Sequence, residues 1–400
     1  MNTRLETSKL RRLADLTTLI SSGSTPKGGS EVYLPQGPVM LIRSQNVRMN
    51  QLSLEEVAYI TDEIDSNMPR ARVQFGDVLL NITGASIGRV SSFELKHVRA
   101  NVNQHVCIIR SIPEVLYYKY LSHLIATSEF QTEIDRLQHG GTRQALTFSQ
   151  IADFKIPLPS ISEQRRIADV LDRAEALRAK RRAALAELDG LAQSIFIEMF
   201  GPPTRIMSSW PTQSLGTLLR FLTSGSRGWA EYYSETGDLF LRIQNVKNDE
   251  LSLNEVAFVK PPDTAEANRT KVNAGDVLLS ITADIGRTAV VPNAIEKAFI
   301  SQHLALLRTD GISPRFLSAY LSSESGQEQI FKRNKQGVKA GLNFDDIRSF
   351  IIPLPPNNLQ QEFARRVAVV EKLKAVQRAS LAELDALFAS LQDRAFRGAL

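Results

Sequence analysis

The chain of 400 residues contains two related halves. Leu52–Ile60 (LSLEEVAYI) returns as Leu251–Val259 (LSLNEVAFV), at an offset of 199 residues. Other matching blocks keep the same order and nearly the same spacing: Arg43–Val47 with Arg242–Val246, Gly76–Thr83 with Gly275–Thr282, Ile87–Arg89 with Ile285–Arg287, Gln104–His105 with Gln302–His303, Phe154–Pro159 with Phe350–Pro355, and Leu185–Asp189 with Leu381–Asp385. Solenoid units are much shorter, about 20–50 residues. The chain is therefore a tandem duplication of a unit that is large enough to be a domain.

The first part of each unit, residues 1–158 and 205–355, alternates short apolar runs with turn residues. Runs of this length, bounded by Gly and Ser, are typical of strands, and apolar residues at helical spacing follow them. We predict strands at Val78–Thr83, Ile87–Ser92 and Val102–Arg110 and a helix within Pro113–Leu137. This part is therefore predicted to be a mixed α/β domain.

The second part of each unit, residues 159–204 and 356–400, has the pattern of one long helix. Ser162, followed by Glu163-Gln164, predicts the first helix N-terminus after Pro157 and Pro159. Residues at alternating steps of three and four form a seam, which indicates a coiled coil. The seam residues are Leu171, Ala174, Arg178, Arg181, Leu185, Leu188, Ala192, Ile195 and Met199 in one copy, and Val367, Val370, Lys374, Gln377, Leu381, Leu384, Phe388, Leu391 and Ala395 in the other.

A helix of about 38 residues spans about 57 Å, and alone it would leave this seam in water. Antiparallel pairing of the two copies would cover both seams; the alternative is that each helix caps only its own domain. Polar residues interrupt the middle of each seam and can fix its register. The predicted fold class is α+β: two mixed α/β domains, each followed by a long helix, with the helices paired as an antiparallel coiled coil in a pseudo-twofold tandem repeat.

Composition narrows the functional classes. Lys and Arg exceed Asp and Glu by 48 to 43, and the pI is near 9.2, which fits nucleic-acid binding without requiring it. The single cysteine, Cys107, excludes an internal disulfide and leaves too few thiolates for a structural zinc site. No apolar run approaches the ~20 residues of a membrane span, and the start is polar. We expect a cytoplasmic protein without membrane contact.

Sequence motifs of the common enzyme classes are missing. The chain has no phosphate-binding Gly-x-x-x-x-Gly-Lys-Ser/Thr loop, no His-Glu-x-x-His metal motif and no Gly-x-Ser-x-Gly nucleophile elbow. The histidines do not cluster with carboxylates at ligand spacing. We therefore expect a chain that has no catalytic centre and binds no metal.

The chain resembles the specificity (S) subunits of type I restriction-modification systems along essentially its whole length. The most specific mark is Ile156–Leu171 (IPLPSISEQRRIADVL), with a degenerate echo in Ile352–Pro356 and Gln360. Ser22–Pro26, Gly76–Leu80 and Ile87–Arg89 are similar to landmarks of the family's target-recognition domains.

This resemblance implies that each α/β domain reads one half of a bipartite double-stranded DNA target, while the helices set the gap. It also implies two adenine-N6 methyltransferase (M) subunits, which bind S-adenosylmethionine, and restriction (R) subunits, which use ATP and Mg; this chain itself would bind no cofactor. Docking of the methyltransferase is expected at Glu163, Gln164, Arg165, Arg166 and Gln360. The second copy has Leu359-Gln-Gln-Glu362 instead of the Glu-Gln-Arg-Arg run, so the two helices need not dock partners equally.

The duplication also sorts candidate DNA-binding residues. Residues that build the fold or contact phosphate should be shared, and residues that read bases should differ. The shared candidates are Arg43/Arg242, Gln45/Gln244, Asn46/Asn245, Arg89/Arg287, Gln104/Gln302 and His105/His303. Arg89 and Arg287 suit phosphate contact, whereas Gln45-Asn46 and Gln104-His105 could either contact DNA or satisfy backbone groups.

The divergent candidates lie in loops that follow common sequences. They are Lys27, Ser86, Arg143 and Gln144 in the first copy, and Arg227, Trp229, Asp284 and Lys339 in the second. Arg and Lys pair with guanine, Gln with adenine, and Asp accepts from cytosine N4. Because these loops differ, we expect an asymmetric target.

Three other interpretations stay open at this point. A specificity subunit of a type IIB system would have the same features but a different partner. A non-DNA adaptor would use the coiled-coil rod to present two protein-binding heads. A nuclease with an unrecognised site would cut DNA with Mg²⁺ alone.

Overall fold

A computed structural model describes residues 10–138, 145–225, 227–333 and 341–400. It divides into two compact units, Met1–Arg182 with Ala379–Leu400, and Ala183–Arg378. Both long helices cross from one unit to the other within their length. Each unit therefore consists of one α/β domain and one segment of each helix.

The first unit contains twelve short strands and the helices that follow them. The strands are β1 Leu10–Arg12, β2 Thr17–Ser22, β3 Val39–Ile42, β4 Val47–Arg48, β5 Gln51–Leu52, β6 Ala58–Ile60, β7 Arg72–Val73, β8 Val78–Asn81, β9 Val90–Ser92, β10 Ala100–Val102, β11 Val106–Ser111 and β12 Lys155–Pro157. The helices are α1 Asp62–Ser66, α2 Tyr118–Ile125, α3 Ser128–Gln138, α4 Phe148–Ala152 and the long α5 Ile161–Phe200.

Two four-stranded sheets form the body of this domain. One has the order β2-β11-β8-β9 and is antiparallel, and the other has the order β6-β3-β10-β7, with β10 parallel to β3. The pairs β1-β12 and β4-β5 make two smaller sheets. β8 is fully buried, as its apolar run Val78–Leu80 indicates, and the polar Asn81 at its end is buried with it.

Two predicted elements of the first domain are broken in the structure. The strand predicted at Val102–Arg110 is wrong, because the side chain of Asn103 accepts from the His105 N–H at 3.1 Å and turns the chain between β10 and β11, which belong to different sheets. The helix predicted within Pro113–Leu137 is two helices. The hydroxyl of Thr127 accepts from the Phe130 N–H at 3.2 Å and begins α3 anew.

The second unit repeats this topology. Its strands are β13 Thr212–Ser214, β14 Leu219–Ser224, β15 Tyr233–Ser234, β16 Asp238–Leu241, β17 Ala257–Val259, β18 Val277–Ser280, β19 Thr288–Val290, β20 Ala298–Ile300, β21 Leu304–Thr309 and β22 Ile351–Pro353. Its helices are α6 Pro203–Ser209, α7 Ala265–Arg269, α8 Pro314–Ser322, α9 Glu324–Arg333, α10 Phe344–Arg348 and the long α11 Asn357–Phe396. The sheets β14-β21-β18-β19 and β15-β17-β16-β20 correspond to the two main sheets of the first unit, again with one parallel pair, β16 and β20.

The long helices begin just after a proline-containing strand. The first begins at Ile161, after Pro159 as predicted, and is capped by Ser160, whose hydroxyl accepts from the Glu163 N–H at 3.3 Å. One glutamine near each N-terminus fixes the helix to its domain. Gln164 accepts from the Tyr117 N–H at 2.8 Å and donates to Val115 and Pro159 carbonyls at 3.0 Å.

The predicted seams are confirmed by burial, because each seam residue of both helices is buried or half-buried. In the first unit, Ile167 and Leu171 near the start of α5 share one core with Phe388 and Ala395 near the end of α11. Tyr120 of the domain packs there against Phe396, with ring centroids 5.4 Å apart. The first domain therefore packs against both helices, and the alternative in which each helix caps only its own domain is excluded.

In the second unit, Phe196 and Phe200 at the end of α5 pack against Phe363 at the start of α11, with centroids 5.6 and 5.5 Å apart. Phe316 of the domain contacts the same cluster. The start of one helix meets the end of the other in each unit, so the segments run antiparallel. Aromatic pairs of this kind add to the area that they bury.

Ion pairs occupy the polar interruptions of the seams. Arg178 Nε lies 2.6 Å from Asp385 Oδ1 in the first unit, and Lys374 Nζ lies 2.9 Å from Asp189 Oδ1 in the second. These are equivalent positions of the duplication. Because only opposite charges at matching heights can pair, the contacts fix the register of each helix pair.

The second unit also holds a buried carboxylate beside this seam. Asp249 accepts from Arg315 Nη2 at 2.8 Å and from the Ser318 hydroxyl, and its side chain is 14% exposed. Burial raises the pKa of Asp249 from 3.8 to about 6, although Arg315 acts in the opposite direction. The first unit has Asn50 at the equivalent position, and both residues adopt a positive φ, 56° for Asn50 and 61° for Asp249.

We expect Asp249→Asn to remove a pH dependence of stability. The folded pKa lies above the unfolded one, so folding favours the protonated acid. The stability that the protonated Asp249 contributes is fully present below about pH 4 and is lost as pH rises to about 6. The free energy of unfolding then decreases by up to roughly 3 kcal/mol. Denaturant unfolding at several pH values should show this decline in the wild type and a flatter profile in the variant, which the backbone at Asn50 shows to be tolerated. If the wild type and the variant had identical profiles, the raised pKa of Asp249 would be contradicted.

Candidate nucleic-acid interface

Three loops of the first domain meet in a cleft of about 840 Å³. Ser44 and Gln45 follow β3, Thr83 to Ser86 follow β8, and His105 precedes β11. Arg89 and Ala145 complete the lining. The structure thus brings together four of the predicted candidates, namely Gln45, Ser86, Arg89 and His105.

The second domain has a smaller cleft of about 360 Å³, which shares with the first cleft the loop after β16 and the histidine before β21. Its candidates are Arg227, Trp229, Arg242, Gln244, Gln302 and His303. Two cations and several aromatic rings line it, whereas Arg89 is the cation in the lining of the first cleft. The two clefts therefore overlap at Gln45/Gln244 and His105/His303 and differ in the rest of their lining.

A chain of three hydrogen-bonded side chains includes the histidine that lines each cleft. In the first domain, Gln104 Nε2 lies 2.8 Å from His105 Nε2, and the other ring nitrogen contacts the Thr83 hydroxyl. Because the amide nitrogen donates to Nε2, a neutral imidazole carries its proton on Nδ1 and donates to Thr83. Gln302, His303 and Thr282 repeat the arrangement. These shared residues hold the turn that precedes the divergent residues.

The Ile-Gly-Arg motif is docked by a glutamine in each domain. Gly88 has φ +86°, and a Cβ there would lie 2.4 Å from Gln131 Oε1. Gln131 Nε2 in turn donates to the Gly88 carbonyl at 2.9 Å, and Gln327 donates to Gly286 at 2.8 Å. The glycine is required by both its backbone and this close approach, and it sets the position of the arginine that follows.

Two shared candidates belong to the interior of the fold. Asn46 and Asn245 are buried; each accepts from the backbone N–H of Arg43 or Arg242 and donates to carbonyls of the following loop. These amides build the loop and are not available to DNA, so of the two roles left open for them they have the structural one. Arg43 and Arg242 also use one guanidinium nitrogen within the domain, donating to the carbonyls of Glu56 and Glu255.

Trp229 is likewise a core residue. Its side chain is 6% exposed, and its ring stacks on Phe240 with centroids 5.1 Å apart and also contacts Phe299. The prediction of direct base contact does not fit this burial. Lys27, Gln45, Arg89, Arg227 and Gln244 are exposed, and their contact with DNA stays a prediction. Arg143, Gln144 and Lys339 lie outside the described residues.

The shared arginines differ in their surroundings. Arg287 Nη2 pairs with Asp284 Oδ2. Ser86 occupies the position of Asp284 in the first domain, and no carboxylate pairs with Arg89 among the residues that the structure describes. The sequence alone does not reveal this pair, because contact between residues three apart depends on the turn.

The predicted docking residues also separate into two groups. Gln164 and Gln360 are buried and tie each helix to its own domain, Gln360 through the Ser313 N–H at 2.9 Å and the Pro355 carbonyl at 2.8 Å. They are therefore not available to a partner. Glu163 pairs with Arg166, and Arg165 lies over the Tyr117 ring at 5.7 Å; both arginines are exposed.

A surface that the sequence analysis missed lies on α11. Val369, Leu373 and Val376 are exposed, and their spacing of four and three residues places them on one face. The sequence carries a signal for this second stripe, because its apolar residues repeat at two heptad positions that the seam does not use. Three apolar side chains on one exposed face make it a candidate surface for protein contact.

Other chemical features are few in the described part of the chain. Burial raises the pKa of the Cys107 thiol to about 12, so it is not a poised nucleophile. No group of three or more His, Cys, Asp or Glu side chains suited to a metal ion occurs among the described residues. None of the helices there combines the length and apolar character needed to cross a membrane.

Two sheet-based domains with paired clefts, each joined to antiparallel helix segments, define a class of tandem recognition modules. The family model of the type I restriction modification DNA specificity domain matches residues 6–187 and 230–386. The chain therefore belongs to this family.

Individual relatives agree with the family. The type I restriction enzyme EcoKI specificity subunit of Escherichia coli (strain K12) is 22% identical over 415 residues, which covers 97% of this chain and 88% of the relative. The EcoBI specificity subunit of Escherichia coli is 24% identical, covering 75% and 69%. The crystal structure of a type I restriction-modification system S subunit from M. genitalium has a TM-score of 0.62 at 16% identity and covers 97% of this chain and 96% of its own. A chain from a structure of type I system assembly has a TM-score of 0.53 at 20% identity, with 98% of both chains covered.

We expect Trp229→Ala to destabilise the second unit by about 3–5 kcal/mol, because it removes a large side chain from an aromatic core. Thermal or denaturant unfolding would measure the loss. Arg227→Ala, two residues away and exposed, is the matched control and should change stability by no more than about 0.5 kcal/mol. If the two variants were equally stable, the assignment of Trp229 to the core would be contradicted.

Proposed function

We propose that this chain is the DNA-specificity subunit of a type I restriction-modification complex and performs no chemistry itself. Each target-recognition domain reads one half of a bipartite, asymmetric target. The observation that carries this proposal is the pair of clefts, which share a Gln-His-Thr support and differ in the residues at their rims. Shared positioning with divergent readout is what two half-sites require.

The residues in the divergent loops support an asymmetric target. After the common Ser-Gly-Ser, the first domain offers Lys27 and the second Arg227, and the turns that follow β8 and β18 carry Ser86 and Asp284. Side chains of different hydrogen-bonding type select different bases in the major groove. The absence of catalytic motifs from the sequence supports a reading role, and the non-DNA adaptor is not favoured by the family.

The helices are proposed to dock two adenine-N6 methyltransferase subunits. S-adenosylmethionine would be bound there, and ATP and Mg would be used by restriction subunits. The exposed stripe of Val369, Leu373 and Val376 suits such a partner better than the buried glutamines at the helix starts. Arg165 and Arg166 remain candidates for a polar rim around the contact.

Co-expression of this chain with a methyltransferase subunit and mapping of methylated adenines test the proposal. The expected result is a split motif with a fixed gap. Methylation that is independent of this chain would contradict it, as would DNA cleavage by the purified chain with Mg²⁺ alone.

A matched pair of variants tests which domain reads which half. Arg227→Ala should change base preference in one half-site by about tenfold to a hundredfold, and Lys27→Ala should act only on the other. The same methylation maps give the result. Equal loss on every sequence would identify the residue as a phosphate contact instead.

Leu373→Asp should weaken methyltransferase binding by about thirtyfold or more, because a charge would be desolvated at the contact. The side chain is 46% exposed in the free chain, so folding should be retained. Binding is measured with the purified subunits, and Lys372→Ala is the control at an exposed neighbour. Unchanged binding of both variants would exclude this stripe as the docking face.

A further inference from the structure

The turn that follows β18 carries an acid–base pair that its counterpart lacks. In the second domain the segment from Thr282 to Arg287 is one residue shorter than the segment from Thr83 to Arg89. Its Asp284 carboxylate pairs with the Arg287 guanidinium. The duplication thus presents one cationic turn and one turn with both charges.

Ser280 fixes both members of the pair. Its hydroxyl donates to the Asp284 carbonyl at 2.6 Å and accepts from the Arg287 N–H at 2.9 Å. Asn81 stands at the equivalent position in the first domain and sends its amide to the carbonyls of Ser44 and Val47 at 2.8 and 3.3 Å. Ser280 is fully buried, so the support comes from within the domain.

The backbone of the turn is also held in an uncommon conformation. Ala283, a residue with a side chain, has φ +60°, and Gly286, with φ +95°, is docked by Gln327. A conformation of this kind persists where the surrounding structure determines it. The pair is therefore presented by a rigid turn, which favours recognition that depends on geometry.

The side chains themselves reach solvent, with Asp284 54% and Arg287 35% exposed. They lie two and five residues beyond Thr282, which bonds to His303 in the cleft support. A carboxylate next to the guanidinium repels phosphate, so this pair is poorly suited to the DNA backbone. Arg89, with no carboxylate partner among the described residues, suits phosphate well.

The donor and acceptor pattern of the pair matches one base pair. Guanine offers the acceptors N7 and O6 to an arginine, and the N4 amino group of its partner cytosine donates to a carboxylate. An A·T pair offers an acceptor, a donor and another acceptor, so it would oppose the guanidinium with a donor and the carboxylate with an acceptor.

We infer that Asp284 and Arg287 act together to read one C·G base pair in the half-site of the second domain, with Ser280 as their positioning residue. This inference rests on the proposed function. In this inference Arg287 contacts a base, whereas the sequence analysis expects both Arg89 and Arg287 to contact phosphate.

The test is competition binding by the complex assembled with its methyltransferase, on duplexes that vary one base pair at a time. Asp284→Ser, which installs the residue of the first domain, should reduce the preference for C·G at one position of one half-site by about tenfold to a hundredfold. Discrimination at the other half-site should not change. Asp284→Asn, which keeps the shape, should also weaken that preference.

Ser86→Asp is the reciprocal control and should lower affinity for all duplexes, because it places a carboxylate near Arg89. Arg89→Ala should reduce the salt dependence of binding by the amount that one phosphate contact contributes. Arg287→Ala should instead relax the base preference at one position of the target. Ser280→Ala should relax the same position as Asp284→Ser; a purely structural serine would instead lower affinity for every duplex equally.

Two outcomes separate this inference from the proposed function. A wild-type complex without a split target would overturn both. A wild-type complex with a split target, together with an Asp284→Ser variant that keeps its base preference or weakens binding uniformly, would overturn the inference alone.

Discussion

Each unit depends on the apolar seam that its two antiparallel helix segments bury against the domain. A helix with such a seam is not stable alone in water, because most helical stability comes from packing of the apolar face. The first domain therefore shares its core with Ile167 and Leu171, which follow it directly, and with Phe388 and Ala395, which lie more than 200 residues further along the chain. Its core is therefore complete only with residues near the end of α11, a contact of long sequence separation whose loop closure costs entropy.

The duplication separates contacts that position from contacts that recognise. Gln164 and Gln360, the buried asparagines of the two loops, and the Gln-His-Thr supports occur in both domains with the same partners. The glutamines at the helix starts and the asparagines bond to backbone groups, and their loss would leave those groups unsatisfied. The divergent residues around the clefts do not have these structural contacts to maintain, and they differ between the two domains. A framework of this kind allows the readout to change without a change of fold.

Matching sequence blocks predict the repeat, and the spacing of apolar residues predicts the mixed domains and the seams. It did not distinguish a buried amide from an exposed one, so Asn46 and Gln164 were placed among the contact residues although they bond within the fold. Trp229 was assigned to DNA for the same reason, since an aromatic residue in a Gly-rich loop gives no sign of the Phe240 ring beneath it. The break between β10 and β11 depends on one side-chain contact of Asn103, which has no periodic signal.

Charged groups in the second unit show how a duplicated frame diverges in its energetics. Asp249 stands where the first unit has Asn50, and Asp284 stands where the first domain has Ser86. At the buried position the carboxylate opposes folding at neutral pH and is retained beside Arg315, which holds it in place. At the exposed position the carboxylate has little cost of burial and changes what Arg287 can bind. The same substitution of a neutral side chain by an acid therefore affects stability in one place and recognition in the other, and the difference follows from exposure to solvent.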